Sequence, residues 1–251
     1  MKAYLALLAG ASALALANPA HAVLQFSADV GGTIIACVDG AACDLSGAPG
    51  TIVVGTTVVP NGAGSIEFLG SSQTQTTGGN NTLTTTSFQI TNTGPAIDVT
   101  ISVGGTDFVG PVTAISSSGS GTWTNASGSE ITLQYYADTA NDQGGESPTD
   151  HPGALLADSG LLTAASPADS VNYNSGLVPF ADADLYSMTL FTTGTIIAGS
   201  TATPSQLTGR SQTMVAVNEV PEPASLLILG GSLLGMGWFL WRRREAGEAA
   251  A

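Results

Sequence analysis

The sequence has very little positive charge: five Lys and Arg stand against 19 Asp and Glu in 251 residues, a formal net charge of −14. The bases are Lys2, Arg210, Arg242, Arg243 and Arg244, so residues 23–219 hold 16 acids and one base, a formal charge of −15. Nucleic-acid binding needs clustered Lys or Arg to displace counterions from phosphates, and one arginine excludes it. Charged residues of both signs make up 10%, against roughly 25% in an ordinary soluble domain. With two cysteines and, beyond residue 22, the single histidine His151, a zinc site would need further ligands. Catalytic signatures are missing too: no Ser sits in a G-x-S-x-G, no H-E-x-x-H occurs, and His151 has no thiol nucleophile near it in sequence. An enzyme is not expected.

The ends read as addresses. Lys2 is followed by an apolar run over 3–17 and then by Asn18-Pro19-Ala20-His21-Ala22. Charge, apolar stretch and an A-x-A site at Ala20 and Ala22, in that order, predict a secretory signal peptide over 1–22, cut by signal peptidase. At the other end Val220-Pro221-Glu222-Pro223 precedes an uncharged run over 224–241 and then Arg242-Arg243-Arg244. Eighteen residues of helix would measure roughly 27 Å, close to a hydrocarbon core of about 30 Å. The run therefore predicts one transmembrane helix over 224–241 in the inner membrane, stopped by the three arginines of a basic cytoplasmic tail over 242–251. Gly231 and Gly235 form a G-x-x-x-G within it.

This tail resembles the PEP-CTERM sorting signal of Gram-negative bacteria, with Pro221, Glu222 and Pro223 as the short motif. The resemblance covers 220–251 and implies recognition by an exosortase, passage through an inner-membrane intermediate, and delivery to the cell surface or an exopolysaccharide matrix. It implies nothing about 23–219, because such tails ride on unrelated cargo.

The cargo reads as strands. Ile97, Val99, Ile101 and Val103 alternate with Asp98, Thr100 and Ser102, and Ile131, Leu133 and Tyr135 alternate with Thr132, Gln134 and Tyr136. Residues 51–59, 65–69, 87–91, 184–193 and 212–218 look similar. Asn92-Thr93-Gly94-Pro95 predicts a hairpin turn from 87–91 into 97–103. The polar runs 71–86 and 141–153 look mobile, the first as a long loop or a weakly packed edge and the second as a loop, and 155–165 predicts a helical turn or two. The fold class expected is all-β: a single antiparallel β-sandwich with Greek-key-like connections over 23–219, preceded by the signal peptide and followed by the one C-terminal transmembrane helix.

Three groups within the cargo are candidate sites. Cys37 and Cys43, in an exported chain, predict a disulfide closing a short loop. Asp138, Asp142, Glu146 and Asp150 recur every fourth residue among glycines and prolines, so they belong to a loop whose oxygens suit calcium, although the EF-hand spacing fails. Trp123, Tyr135, Tyr136 and Tyr173 could stack on sugar rings if exposed, but 6% aromatics leaves most of them to the core. The reading that follows is an exported surface or exopolysaccharide-matrix structural protein without catalytic activity. The alternative is a calcium-assisted carbohydrate-binding module.

Overall fold

The computed structural model describes residues 23–77, 80–182 and 184–218, and every regular element among them is a strand. The first sheet has the order β2 (Thr33–Val38), β1 (Leu24–Val30), β6 (Ile97–Val109), β11 (Leu185–Ile196), β8 (Glu130–Asp138), β9 (Ala154–Thr163). The second has β10 (Ala168–Asp182), β7 (Val112–Thr124), β12 (Ser205–Asn218), β5 (Asn80–Asn92), β4 (Gly64–Thr77), β3 (Thr51–Asn61). All ten strand pairs are antiparallel.

The pairing is nested. β8 pairs β9, β7 pairs β10, β6 pairs β11 and β5 pairs β12, as if one long hairpin had been folded over on itself. The wrap is closed by β11 on β8 and β12 on β7. That is the jelly-roll arrangement of eight strands, to which β1–β2 and β3–β4 add two strands at one end of each sheet.

Side chains from both sheets fill one core. Phe26 stacks on Phe88 at 5.6 Å, Tyr135 on Tyr173 at 5.7 Å, and Phe180 meets Tyr186 at 5.7 Å, each pair bridging the two sheets. Burial along β6 follows the alternation of its sequence: Ile97, Val99, Ile101 and Val103 are buried and Asp98 is exposed. β7 follows a less obvious rule. Gly119 and Gly121 point inward, and a Cβ on Gly119 would stand 2.5 Å from a Leu133 methyl. Small residues here make room for large ones on the opposite sheet.

Two polar groups sit inside the core with their partners. The Gln212 amide accepts from Thr192 Oγ1 at 2.8 Å and donates to the Phe191 carbonyl at 3.1 Å. Asn81 Nδ2 donates to Tyr186 Oη and to the Val109 carbonyl, both at 2.9 Å. Each ties one sheet to the other, and a buried group so paired avoids the penalty of going without.

Several expectations need correcting. Residues 71–86 are not a loop but most of the β4–β5 hairpin, with inward Ser72, Leu83 and Thr85 buried. Polar composition misled because hydroxyls on a central strand can face the core. Residues 155–165 are largely the edge strand β9, not helix; Gly160, at φ 63°, lies where its pairing with β8 slips. Residues 92–95 do not close a hairpin, since β5 and β6 lie in different sheets. The Asn92 side chain turns the chain across instead, donating to the carbonyls of Pro95 and Ile197 and accepting from Gly94 N–H.

The largest correction concerns the membrane. No helix among the described residues is long and apolar enough to cross one, so the fold described is all-β without the single transmembrane helix expected, and the inner-membrane partner and intermediate inferred from that helix are not carried further. That expectation rested on the hydropathy and length of the run and on the three arginines after it, signals of sequence that no described element reproduces. Residues 224–241 lie outside the described residues, as do 1–22 with Ala20 and Ala22, Val220 to Pro223, and Arg242, Arg243 and Arg244.

Candidate functional site

The outer faces of the two sheets differ in kind. On the second sheet, register brings Thr51, Gln73, Thr84, Thr213, Ser118 and Asn174 into one row across all six strands. Val53 and Ser71 lie beside that row, as do Gln75, Thr82, Val215 and Ser116, and Ser211, Ser120 and Asn172. None of these residues is charged. Thr84 Oγ1 meets Thr213 Oγ1 at 2.7 Å, and Ser120 Oγ meets Ser211 Oγ at 3.0 Å, so neighbouring hydroxyls orient one another. A shallow depression at the β10 side is lined by Ser118, Ser120, Asn172, Tyr173, Asn174 and Ser211. Donors and acceptors without charge suit a neutral, hydroxyl-bearing ligand.

On the first sheet a strap, residues 139–153, crosses the outer face. A Cβ on Gly104 would run into the Gly144 backbone, and one on Gly145 would come within 2.8 Å of the Gln25 carbonyl. Ser102 Oγ donates to the Asp150 carbonyl. The His151 ring stacks on Tyr136 at 4.4 Å and meets Phe191 edge-on at 4.6 Å. At its start Asp107 N–H donates to Asn141 Oδ1 at 2.9 Å, while Asn141 Nδ2 donates back to Asp107 Oδ1 at 2.8 Å. The segment read as mobile is therefore packed and hydrogen-bonded.

The four acids predicted for calcium lie on or beside this strap, and two of them, Asp138 and Asp150, have their carboxylates engaged locally. Asp138 accepts from the N–H groups of Ala140 and Asp142, at 3.2 and 3.0 Å, and Asp150 from that of Glu146 at 3.2 Å. Asp142 and Glu146 are exposed. No group of three or more His, Cys, Asp or Glu among the described residues is arranged to hold a metal ion. Asp138 and Asp150 shape turns in the way Asx residues commonly do, and the four acids do not form a ligand shell.

The aromatic candidates are taken by packing. Trp123 and Tyr135 are fully buried, and Tyr136 lies under His151. Tyr173, half-buried, reaches the depression only from its side. Burial raises the pKa of Tyr136 and of Tyr173, and the nearby Asp158 charge adds to both. Trp123, Tyr135 and Tyr136 offer no open ring face for stacking on sugar, and Tyr173 has its ring stacked on Tyr135.

Cys37 and Cys43 are joined, with S–S 2.10 Å and Cα–Cα 5.7 Å. Beside the bridge, partial burial works against the charge on Asp44. The N–H groups of Val53, Ser46 and Gly40 outweigh it and hold its pKa below the usual carboxylate value. Asp39 accepts from Gly50 N–H at 2.7 Å, so the two acids fasten both ends of this loop.

Sequence reasoning missed the neutral face. Its trace was the hydroxyl at every second position in Ser116, Ser118 and Ser120, hidden because the residues between them are also small.

The fold and faces define an all-β jelly roll with no catalytic or metal cluster among its described residues. Immediately after the last strand the chain carries a PEP-CTERM protein-sorting motif, matched over residues 219–244. No curated protein matches the chain. Among solved structures, one of infectious bursal disease virus, Gx strain, overlaps 80% of this chain and 53% of its own at 12% identity and a TM-score of 0.30. The chain thus spans about half the length of that protein.

Proposed function

We propose that this is an exported, exosortase-sorted protein of the cell surface or exopolysaccharide matrix, in which residues 23–219 form a structural, non-catalytic domain between a signal peptide over 1–22 and a sorting tail over 220–251. The observation that carries the reading is the sorting motif over 219–244 on a domain with no metal or catalytic cluster among its described residues. The uncharged hydroxyl and amide face of the second sheet supports the matrix role, since it can exchange hydrogen bonds with a neutral polysaccharide while the acids elsewhere keep the protein soluble.

The test replaces Pro221, Glu222 and Pro223 together with alanine and follows the protein by immunoblot in surface, matrix and cell-retained fractions. The wild type should reach the surface or matrix, and the variant should stay cell-retained. Identical distributions would remove the sorting tail from the reading. The matrix role is tested separately by native electrophoresis of the full chain through gels containing hydroxyethylcellulose, dextran or galactomannan. Retardation by at least one, lost on placing Glu at Thr213 and Ser118 together, is expected. Unretarded migration in all three would leave a sorted protein with no polysaccharide contact.

A further inference from the structure

We infer that β2 is a self-association edge, through which two copies of this chain pair strand to strand. Four strands end the two sheets: β2 and β9 in the first, β10 and β3 in the second. Exposed edges invite pairing with other chains, and proteins blunt them with bulges, prolines and charges. Three of the four are blunted here. β3 carries Pro60 and a register shift between Val54 and Thr57. β10 has Pro179, Asp169, Asp182 and two shifts. β9 has Asp158 and two shifts against β8.

β2 has none of these devices. Its sequence, Thr33-Ile34-Ile35-Ala36-Cys37-Val38, holds no charge and no proline, and its register with β1 is unbroken from end to end. Ile34 and Val38 are 65% and 41% exposed on the outer face, with Ala36 exposed between them. Because β2 ends its sheet, alternate N–H and C=O groups along it meet no further strand among the described residues. Six residues, four of them strong strand formers (Thr33, Ile34, Ile35 and Val38), uncharged and free of proline, form a composition prone to strand pairing.

Charge selects the occupant. A basic segment would be drawn to the 16 acids elsewhere in residues 23–219 and would gain nothing from this strand. An uncharged apolar strand fits it, and a second β2 related by a two-fold axis is such a strand, antiparallel and complementary to itself. A six-residue pair falls short of the roughly 1,200 Å² of a stable interface, so the dimer forms only at high protein concentration. Two acidic bodies repel each other, so salt should strengthen it.

The experiment is sedimentation equilibrium of the full chain in a non-ionic detergent, at about 0.15 M salt and above. The wild type should pass from monomer to dimer with concentration and do so more readily in higher salt. Ile34→Lys and Ala36→Lys, each checked for an unchanged β circular-dichroism spectrum, should weaken pairing about tenfold or more. Leu161→Lys, on the opposite edge strand, should not. Hydrogen exchange of the wild type adds a measurement that needs no variant: amides within Thr33–Val38 should gain protection as concentration rises. A chain that stays monomeric, a dimer that survives both lysines, or exchange in β2 that ignores concentration would each overturn the inference.

Discussion

The two sheets share a core and a strand count, yet they treat their outer faces in opposite ways. The first sheet puts a glycine at position 104 and lets a strap close over it, with His151 seated between Tyr136 and Phe191. The second keeps a row of hydroxyls and amides bare from Thr51 to Asn174. Stability can thus be drawn from both sides of the first sheet, whereas the second draws it from its inner side and leaves the other free for contact.

That contrast is most sharply broken by placing the same side chain on each face. Gly104→Val should cost about 3 kcal/mol, because the strap must lift, while Ser118→Val should stay within about 0.5 kcal/mol. Urea unfolding of the two variants decides it, and equal costs would mean that the strap contributes nothing.

The next effect lies between the sheets. Burial pushes Tyr186 up to about 12 from 10.0, although its hydrogen bond from Asn81 works the other way. Above pH 10 the unfolded chain loses this proton first, so stability is full below pH 10 and falls as pH rises toward 12, by roughly 2–3 kcal/mol. Thermal melts across that range should show the decline, and Tyr186→Phe should flatten it.

Smaller again is the bridge at the end of β2. Replacing Cys37 and Cys43 together with Ser should cost roughly 2 kcal/mol and leave a β circular-dichroism spectrum, since a short loop holds little chain entropy. An unfolded spectrum would mean that the core cannot hold the sheets without it.

The smallest change is His151→Ala, which removes one ring from a stack. It should cost about 1 kcal/mol by urea unfolding. A loss near zero would assign the strap's hold to its backbone contacts at Gly104 and Gln25 alone.

What could be read from the sequence followed from how locally each choice is made. β6 and β8 were legible because Ile97, Val99, Ile101 and Val103, and Ile131, Leu133 and Tyr135, alternate inward, and alternation is a local signal. β7 and the β4–β5 hairpin were not: Gly119 faces inward to admit Leu133, and Thr85 to meet Gln212, partners far away in sequence. The acids after β8 were legible as a loop, but their work in holding turns, and the loop's place on Gly104, depend on strands the local sequence does not name. The aromatic candidates went to the core because a chain with 6% aromatics has few rings to spare.

The nested pairing also sets an order of events. β12 is the last strand in the chain, yet it lies between β5 and β7 in the middle of its sheet. Until Ser205–Asn218 arrives, the second sheet remains two separate pieces, β3–β4–β5 and β7–β10, so a chain threading outward stays incomplete until nearly all of it has crossed. The sorting motif begins at residue 219, one position after that strand ends. Completion of the fold and presentation of the address therefore fall at the same moment of synthesis, and a cut even a few residues upstream of the motif would take the end of a central strand along with the tail.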